Sequence, residues 1–233
     1  MIHQLIFAAP KPGMTEEEFQ RYWIEFHAVK FASKIPQIKK YLIDARVAVP
    51  GETGEPLFGG IAEIWLENEK DQLESLQTKE FLQGARLDEP NWAAFWKTLV
   101  LDTDAHVLLE GAVPAKDQPW IKFVTLYKRK EGMPLAAFRS YSLGRHAELE
   151  LKVPGLRRAL QCHTRDSWYG FGEPRFDCAG MHWFDSVEAM LAARKSPEYK
   201  AVQADLANFA EAKYVFPVMA AREHWIIGPE ARK

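Results

Sequence analysis

Two of the seven histidines in this 233-residue chain, His27 and His146, stand 119 positions apart in matching surroundings. Phe19, Tyr22 and Ala28 accompany the first, and Phe138, Tyr141 and Ala147 the second, at the same offset. Imidazole is the side chain whose ordinary pKa lies near neutrality, so a histidine held in place twice suits a general base or acid. The same residue equally suits a core histidine whose ring nitrogens satisfy nearby backbone groups and fix the bend before a proline. Helical spacing of about 100° per residue puts His27 on the same apolar face as Phe19 and Trp23, which turns it inward under either reading.

The two copies differ around that histidine. Before the repeated Trp65 and Trp183 the first copy has Ile64 and the second His182; Trp23 and Phe26 of the first become Ser142 and Arg145. A buried polar group without a partner costs about 1 to 3 kcal/mol, so a plain core has no need of this exchange. The second copy is therefore expected to hold a pocket with proton-transfer groups. There His146 acts as base, His182 as acid or electrophile, Arg145 orients a carboxylate or enolate, and Ser142 binds substrate. His27 is expected to be hemmed in by Trp23, Phe26 and Ile64. The alternative places Arg145 and Ser142 at the solvent edge of the helix. Tyr141 either donates to a developing oxyanion or packs with a wet hydroxyl. By strand parity Cys178 and Phe184 share the His182 face and line the same pocket, or Cys178 is simply a small buried hydrophobe. His163, on the second strand of this copy, is a further candidate or equally a surface strand residue. Trp168, Tyr169 and Phe171, among glycines, read as an aromatic lid over an apolar ligand or as a dimerisation patch.

The elements that carry these residues are themselves duplicated. Gly13 and Met14 answer to Gly132 and Met133; further on the offset falls to 118, pairing Pro36 with Pro154, Phe58 with Phe176 and Trp65 with Trp183. So long a period makes each copy a domain with its own core rather than a solenoid unit, and the expected division is 1–112, a linker at 113–119, and 120–233. Each copy reads as β-α-β-β-α-β. In the first, an apolar strand from Ile2 to Ala8 is followed by a capping box at Thr15 and Glu18, which starts a helix running to about Lys34. Strands at 41–49 and 58–66, a helix at 70–83, a short helix at 91–98 and a strand at 105–109 follow. The second copy repeats this order and ends on a helix to Ala212 and a strand from Arg222 to Ile227. Strand 58–66 is apolar on both faces apart from Glu63, which fits a sheet covered on both sides.

Composition narrows the class. Thirty basic and thirty-two acidic residues are scattered, so nucleic acid is not an expected partner. The start of the chain has no basic segment and too short an apolar run for a signal peptide or membrane span, so a cytoplasmic location without membrane association is expected. Cys162 and Cys178 have no CxxC spacing and give no zinc signal. No phosphate loop, Ser/His/Asp signature or GxxDG-type loop of haem peroxidase-like barrels occurs, so the expected site is cofactor-free and haem is the weaker alternative.

With the run "MTEEEFQRYWIEFHAVKFASKIPQIKKY" and the later "FGGIAEIWLEN" and "TKEFLQ", the first copy resembles the EthD-like branch of the dimeric α+β barrel superfamily. The second, "MPLAAFRSYSLGRHAELELKVPGLRRA" with "GMHWFDS" and "SPEY", is similar but more diverged. The resemblance implies two ferredoxin-like domains whose antiparallel sheets pack face to face as an α+β barrel within one chain. In lactone-isomerising relatives a histidine at this helix position and a polar group in mid-strand 3 move protons. The superfamily includes lactone isomerases, polyketide cyclases and dehydratases, and monooxygenases acting on aromatics, so the reaction is read from the second-copy pocket: a cofactor-free lyase or isomerase, acting by isomerisation, cyclisation or dehydration on an apolar aromatic, polyketide-like or lactone-like small molecule. A ligand-binding or accessory protein without catalysis is the other reading, and a homodimer remains open.

Overall fold

A computed structural model describes residues 1–111 and 119–230; the expected linker, apart from Pro119, lies outside the described residues. The first repeat runs β1 (Ile2–Ala8), α1 (Glu16–Arg21), a π-helical turn (Tyr22–His27), α2 (Ala28–Lys30), β2 (Ile38–Val47), β3 (Gly60–Leu66), α3 (Glu69–Ser75), a second π-helical turn (Phe81–Ala85), α4 (Arg86–Asp88) and β4 (Leu99–Leu109). The second runs β5 (Ile121–Arg129), α5 (Leu135–Tyr141), a π-helical turn (Ser142–His146), α6 (Ala147–Glu150), β6 (Arg158–Thr164), α7 (Asp166–Tyr169), β7 (Cys178–Phe184), α8 (Val187–Lys195), α9 (Pro197–Phe209) and β8 (Ala210–Ile227). The strands hydrogen-bond in the order β1-β3-β2-β8-β5-β7-β6-β4 and close as an antiparallel barrel sheet, an α+β fold.

Two compact units are present. One comprises Met1–Val47, Glu52–Asp102 and the described residues from Glu223 onward; the other comprises Ala48–Gly51 and the described residues of Thr103–Arg222. Strands β4 and β8 thus each contribute residues to both units. The core of the first unit gathers Phe19, Trp23, Tyr41, Ile64 and Trp92, and that of the second Tyr127, Phe138, Leu206 and Phe209.

Local chemistry explains most boundaries. Gly13 and Gly132 both take left-handed backbone (φ 86° and 76°), the conformation that glycine adopts without strain, and so turn the chain into the first helix of each repeat. Thr15 caps α1 reciprocally: its hydroxyl accepts from the Glu18 N–H at 3.2 Å while the Glu18 carboxylate accepts from the Thr15 N–H at 2.9 Å. The expected unbroken helix to Lys34 is instead interrupted at Tyr22–His27 by π-helical turns, and ends in a 3-10 turn at Ala32–Lys34. The expected helix at 91–98 is two 3-10 turns, Glu89–Asn91 and Phe95–Lys97. Strand β8 starts at Ala210, far earlier than Arg222; Pro217, which argues against a central strand, is accommodated where the β5–β8 register shifts between Met219 and Pro217.

Register equates the two repeats residue by residue. Ile64 lies between Gln4 and Tyr41, and His182 between Phe123 and Ala159; Ala62 lies between Ile6 and Ile43, and Gly180 between Thr125 and Gln161.

Candidate active site

Each repeated histidine is held by an aspartate. His27 Nδ1 lies 2.9 Å from Asp88 Oδ2, while Asp88 Oδ1 accepts from the Tyr22 hydroxyl at 2.8 Å and from the Asn91 amide at 3.0 Å. The second repeat builds the same quartet: His146 Nδ1 is 2.9 Å from Asp205 Oδ2, and Asp205 Oδ1 accepts from Tyr141 at 2.7 Å and Asn208 at 2.9 Å. The π-helical turn that ends on each histidine breaks the 3.6-residue phasing and aims the ring at the loop or helix end that carries the aspartate. Asp88 and Asn91, with Asp205 and Asn208, were not singled out from the sequence. Their signal is a repeated D-x-x-N at 88–91 and 205–208, in a stretch whose offset has fallen to 117.

Beyond the quartet the copies diverge, and not as the sequence suggested. In the first unit the His27 ring lines an apolar cavity of about 100 Å³, with Ala8, Trp23, Ala62, Ile64 and Trp92 among its walls. His27 is therefore not sealed by Trp23, Phe26 and Ile64; Phe26 turns outward and is partly exposed. The Trp92 indole N–H comes within 3.1 Å of the same Nδ1 that faces Asp88, and one nitrogen cannot serve both. The shorter contact, to an ionised acceptor, fixes the hydrogen on Nδ1 and leaves the lone pair on Nε2. Among the described residues nothing hydrogen-bonds that Nε2. Burial lowers the His27 pKa below its ordinary value although Asp88 opposes this, so the ring is neutral at pH 7. Burial alone would raise the Asp88 carboxyl, but hydrogen bonds from Asn91, His27 and Tyr22 hold it below the usual carboxylate range. The Tyr22 phenol is pushed up to about 12 by burial and by Asp88.

Three further polar side chains line this cavity: Tyr41, Glu89 and Thr98. Burial holds the Tyr41 phenol well above its ordinary range, so it stays protonated and can donate. Glu89 pairs with Arg86, whose guanidinium lies over the Phe95 ring at 4.5 Å; burial raises the Glu89 carboxyl above its usual range although Arg86 opposes this. At the matching places the second repeat has Ala159, Leu206 and Val215.

The second unit fills the equivalent space. Tyr127 stands where the first repeat has Ala8, and its ring lies against Gly180, where a Cβ would come within 2.8 Å of it. Ser142 is buried and donates to Gln161 Oε1 at 2.6 Å, and Gln161 donates to Glu150 Oε2 at 2.8 Å. Glu150 Oε1 sits 3.5 Å from His146 Nε2 and 3.1 Å from His182 Nε2, at ion-pair distance but without hydrogen-bond alignment. Burial alone would lower the His146 pKa, but Glu150 and Asp205 outweigh it and raise it; burial would raise Glu150, but His182 and His146 hold it well below the usual range. Both nitrogens of His146 thus face carboxylates.

The structure brings His146, His182, Ser142 and Tyr141 together, yet around a filled network rather than a roomy pocket. Arg145 does not join them: its side chain is 61% exposed and reaches toward Glu148 at 3.8 Å, because the π-helical turn ends with it on the solvent side. Cys178 is a fully buried thiol whose pKa burial raises, as befits a small hydrophobe, and Phe184 is buried. His163 is buried rather than on the surface, and its pKa falls to about 3 through burial and the neighbouring His106. Trp168 and Tyr169 belong to α7, and the Tyr169 hydroxyl donates to Asp177 at 2.5 Å; Phe171 beyond them is exposed. Among the described residues, Asp44, Glu63 and Glu223 bring carboxylate oxygens within 4.8 Å of one another, with His3 Nε2 2.6 Å from Glu63. By strand parity Glu63 is on the opposite sheet face from Ala62 and Ile64, and these acids are no part of the cavity. No helix among the described residues is long and apolar enough to cross a membrane.

The sequence model of the EthD domain matches residues 11–95 and again 130–213. No curated protein matches the chain. Of solved structures, an anthrone oxidase-like protein aligns at TM-score 0.64 with 12% identity, over 97% of this chain and 92% of its own. A "putative monooxygenase" of Fusobacterium nucleatum subsp. nucleatum aligns at 0.59 with 8% identity (99% and 95%), and another of Lactobacillus acidophilus at 0.54 with 13% (99% and 97%). Likeness at such identities is likeness of fold.

Proposed function

The chain belongs to the EthD domain family, twice over, and on that premise we propose that its first repeat carries out cofactor-independent acid/base chemistry on a small, ring-sized carbonyl compound. The observation that carries this reading is the Asp88-held, neutral His27 with an unpaired Nε2 beside an apolar cavity. His27 is the general base, Asp88 fixes its tautomer, and the hydroxyls of Tyr41 and Thr98 are the donors for a carbonyl oxygen. An apolar cavity of roughly 150 Å³ takes benzene, so one of about 100 Å³ limits the ligand to at most a single small ring, whose entry needs some movement of the walls. In the step proposed, His27 Nε2 removes a proton from carbon beside the carbonyl, the enolate oxygen is held by the two hydroxyls, and the proton returns to a different carbon. Isomerisation is the simplest outcome; cyclisation and dehydration start from the same enolate. In this reading His146, His182, Ser142 and Tyr141 form a structural network in the second repeat.

Cyclohex-3-enone, whose conversion to cyclohex-2-enone is followed by ultraviolet absorbance, is a suitable probe. The protein is expected to accelerate this above buffer, and His27→Ala to lower the rate by about 10² or more, with His146→Ala retaining the rate of whatever fraction stays folded. A rate no faster than buffer, or one lost in His146→Ala but kept in His27→Ala, contradicts the reading.

A further inference from the structure

The polar groups of the cavity describe more than a carbonyl. His27 Nε2, with its lone pair, is an acceptor; Tyr41 and Thr98 can donate; and Glu89, ion-paired with Arg86, offers a carboxylate, which accepts only. A carboxylate in the wall of an apolar cavity is costly to desolvate, and the fold does not require one there. The second repeat has Leu206 at the same place, buried in the core beside Phe209, with the quartet around His146 intact. Leu206 therefore acts as an internal control: the histidine–aspartate pair forms without an acid at this position. Nor does Glu89 hold the quartet, since its neighbour Asp88 does that alone. What distinguishes the repeat with a cavity is that an acid is among its lining residues, paired with a guanidinium that is itself stacked on Phe95 at 4.5 Å.

We propose that Glu89 is a specificity-determining residue of the first-repeat cavity, accepting a hydrogen bond from a second, hydroxyl group of the ligand, with Arg86 as its positioning residue. The inference rests on the cavity being the ligand site, and it narrows the ligand to a single ring bearing at least one hydroxyl (phenolic or enolic) besides the group that meets His27. A hydrocarbon ring of the same size leaves the carboxylate desolvated and unpaired, so the site discriminates against it.

Resorcinol and toluene, two rings of one size with and without hydroxyls, separate the possibilities. Trp23 and Trp92 line the cavity, so quenching of their fluorescence reports occupancy. Resorcinol is expected to bind the native chain at least tenfold more tightly than toluene, a preference of the size that one hydrogen bond to a charged group gives. Glu89→Leu, the residue of the second repeat, is expected to abolish that preference, and the near-isosteric Glu89→Gln to weaken it while thermal melting stays unchanged. Arg86→Met is expected to reduce the preference less than Glu89→Leu. If resorcinol is preferred and Glu89→Leu and Glu89→Gln both leave the preference intact, Glu89 has no such role although the cavity still binds ligands. If neither ring quenches the native protein, the reading of the cavity as a ligand site fails, and this inference with it.

Discussion

At the scale of single residues the two histidines share one set of partners and titrate in opposite directions. Burial lowers His27 below its ordinary value, whereas Glu150 and Asp205 overcome burial and raise His146. The linkage has opposite signs. A lowered folded pKa means that the unfolded chain binds more protons, so the His27 contribution is fully present above the unfolded value near 6.5 and lost as pH falls through it. A raised one, at His146, gives stability that is present below about 6.5 and lost as pH rises through the folded value. Replacing His146 leaves Glu150 and Asp205 facing a void in a buried network, so His146→Ala is expected to lose about 3 kcal/mol or more at pH 6, and less at pH 8, in urea unfolding. An equal loss at both values would show that folding does not raise the His146 pKa. The repeated histidines were legible because their flanks repeat; their aspartates were not, because the deletion that shifts the offset to 117 hides the match between Asp88 and Asp205.

At the scale of elements, what decides between cavity and network is one exchange on the first strand of each repeat, Ala8 in β1 against Tyr127 in β5, with Ala62 against Gly180 on the neighbouring strand. Gly180 carries the Tyr127 ring where a Cβ would collide with it. Gly180→Ala is accordingly expected to cost about 1 to 3 kcal/mol by overpacking, and its cost to shrink when it is made in a Tyr127→Ala background; both are read from thermal or urea unfolding. Purely additive costs would contradict the contact. Comparison of Trp23 with Ser142 and Ile64 with His182 led the sequence to place the room in the second copy, since small and polar replaced large and apolar. Volume alone misled, because Tyr127 enters from β5 and because Glu150 and Gln161, which satisfy the polar side chains, come from other elements. The β-α-β-β-α-β order was readable from strand periodicity and the Thr15 cap, but the π-helical turns were not, since no residue type marks them.

At the scale of the whole molecule, duplication has left two copies of a His-Asp-Tyr-Asn quartet, one beside a cavity and one locked among carboxylates. The repeat itself was plain from the offset of 119, and the EthD membership from the runs that resemble that family. That β4 and β8 serve both compact units was not, because strand periodicity says nothing of where a strand's two ends are used. The division of labour between repeats is the central claim, and long-range 1H–15N NMR of the imidazoles during titration with resorcinol tests it most directly. The account predicts that His27 shows a protonated Nδ1 and a lone pair on Nε2 in the free protein, and that its Nε2 resonance moves with ligand while those of His146 and His182 stay fixed. Movement of His146 or His182 with His27 unchanged would place the working site in the second repeat and contradict it.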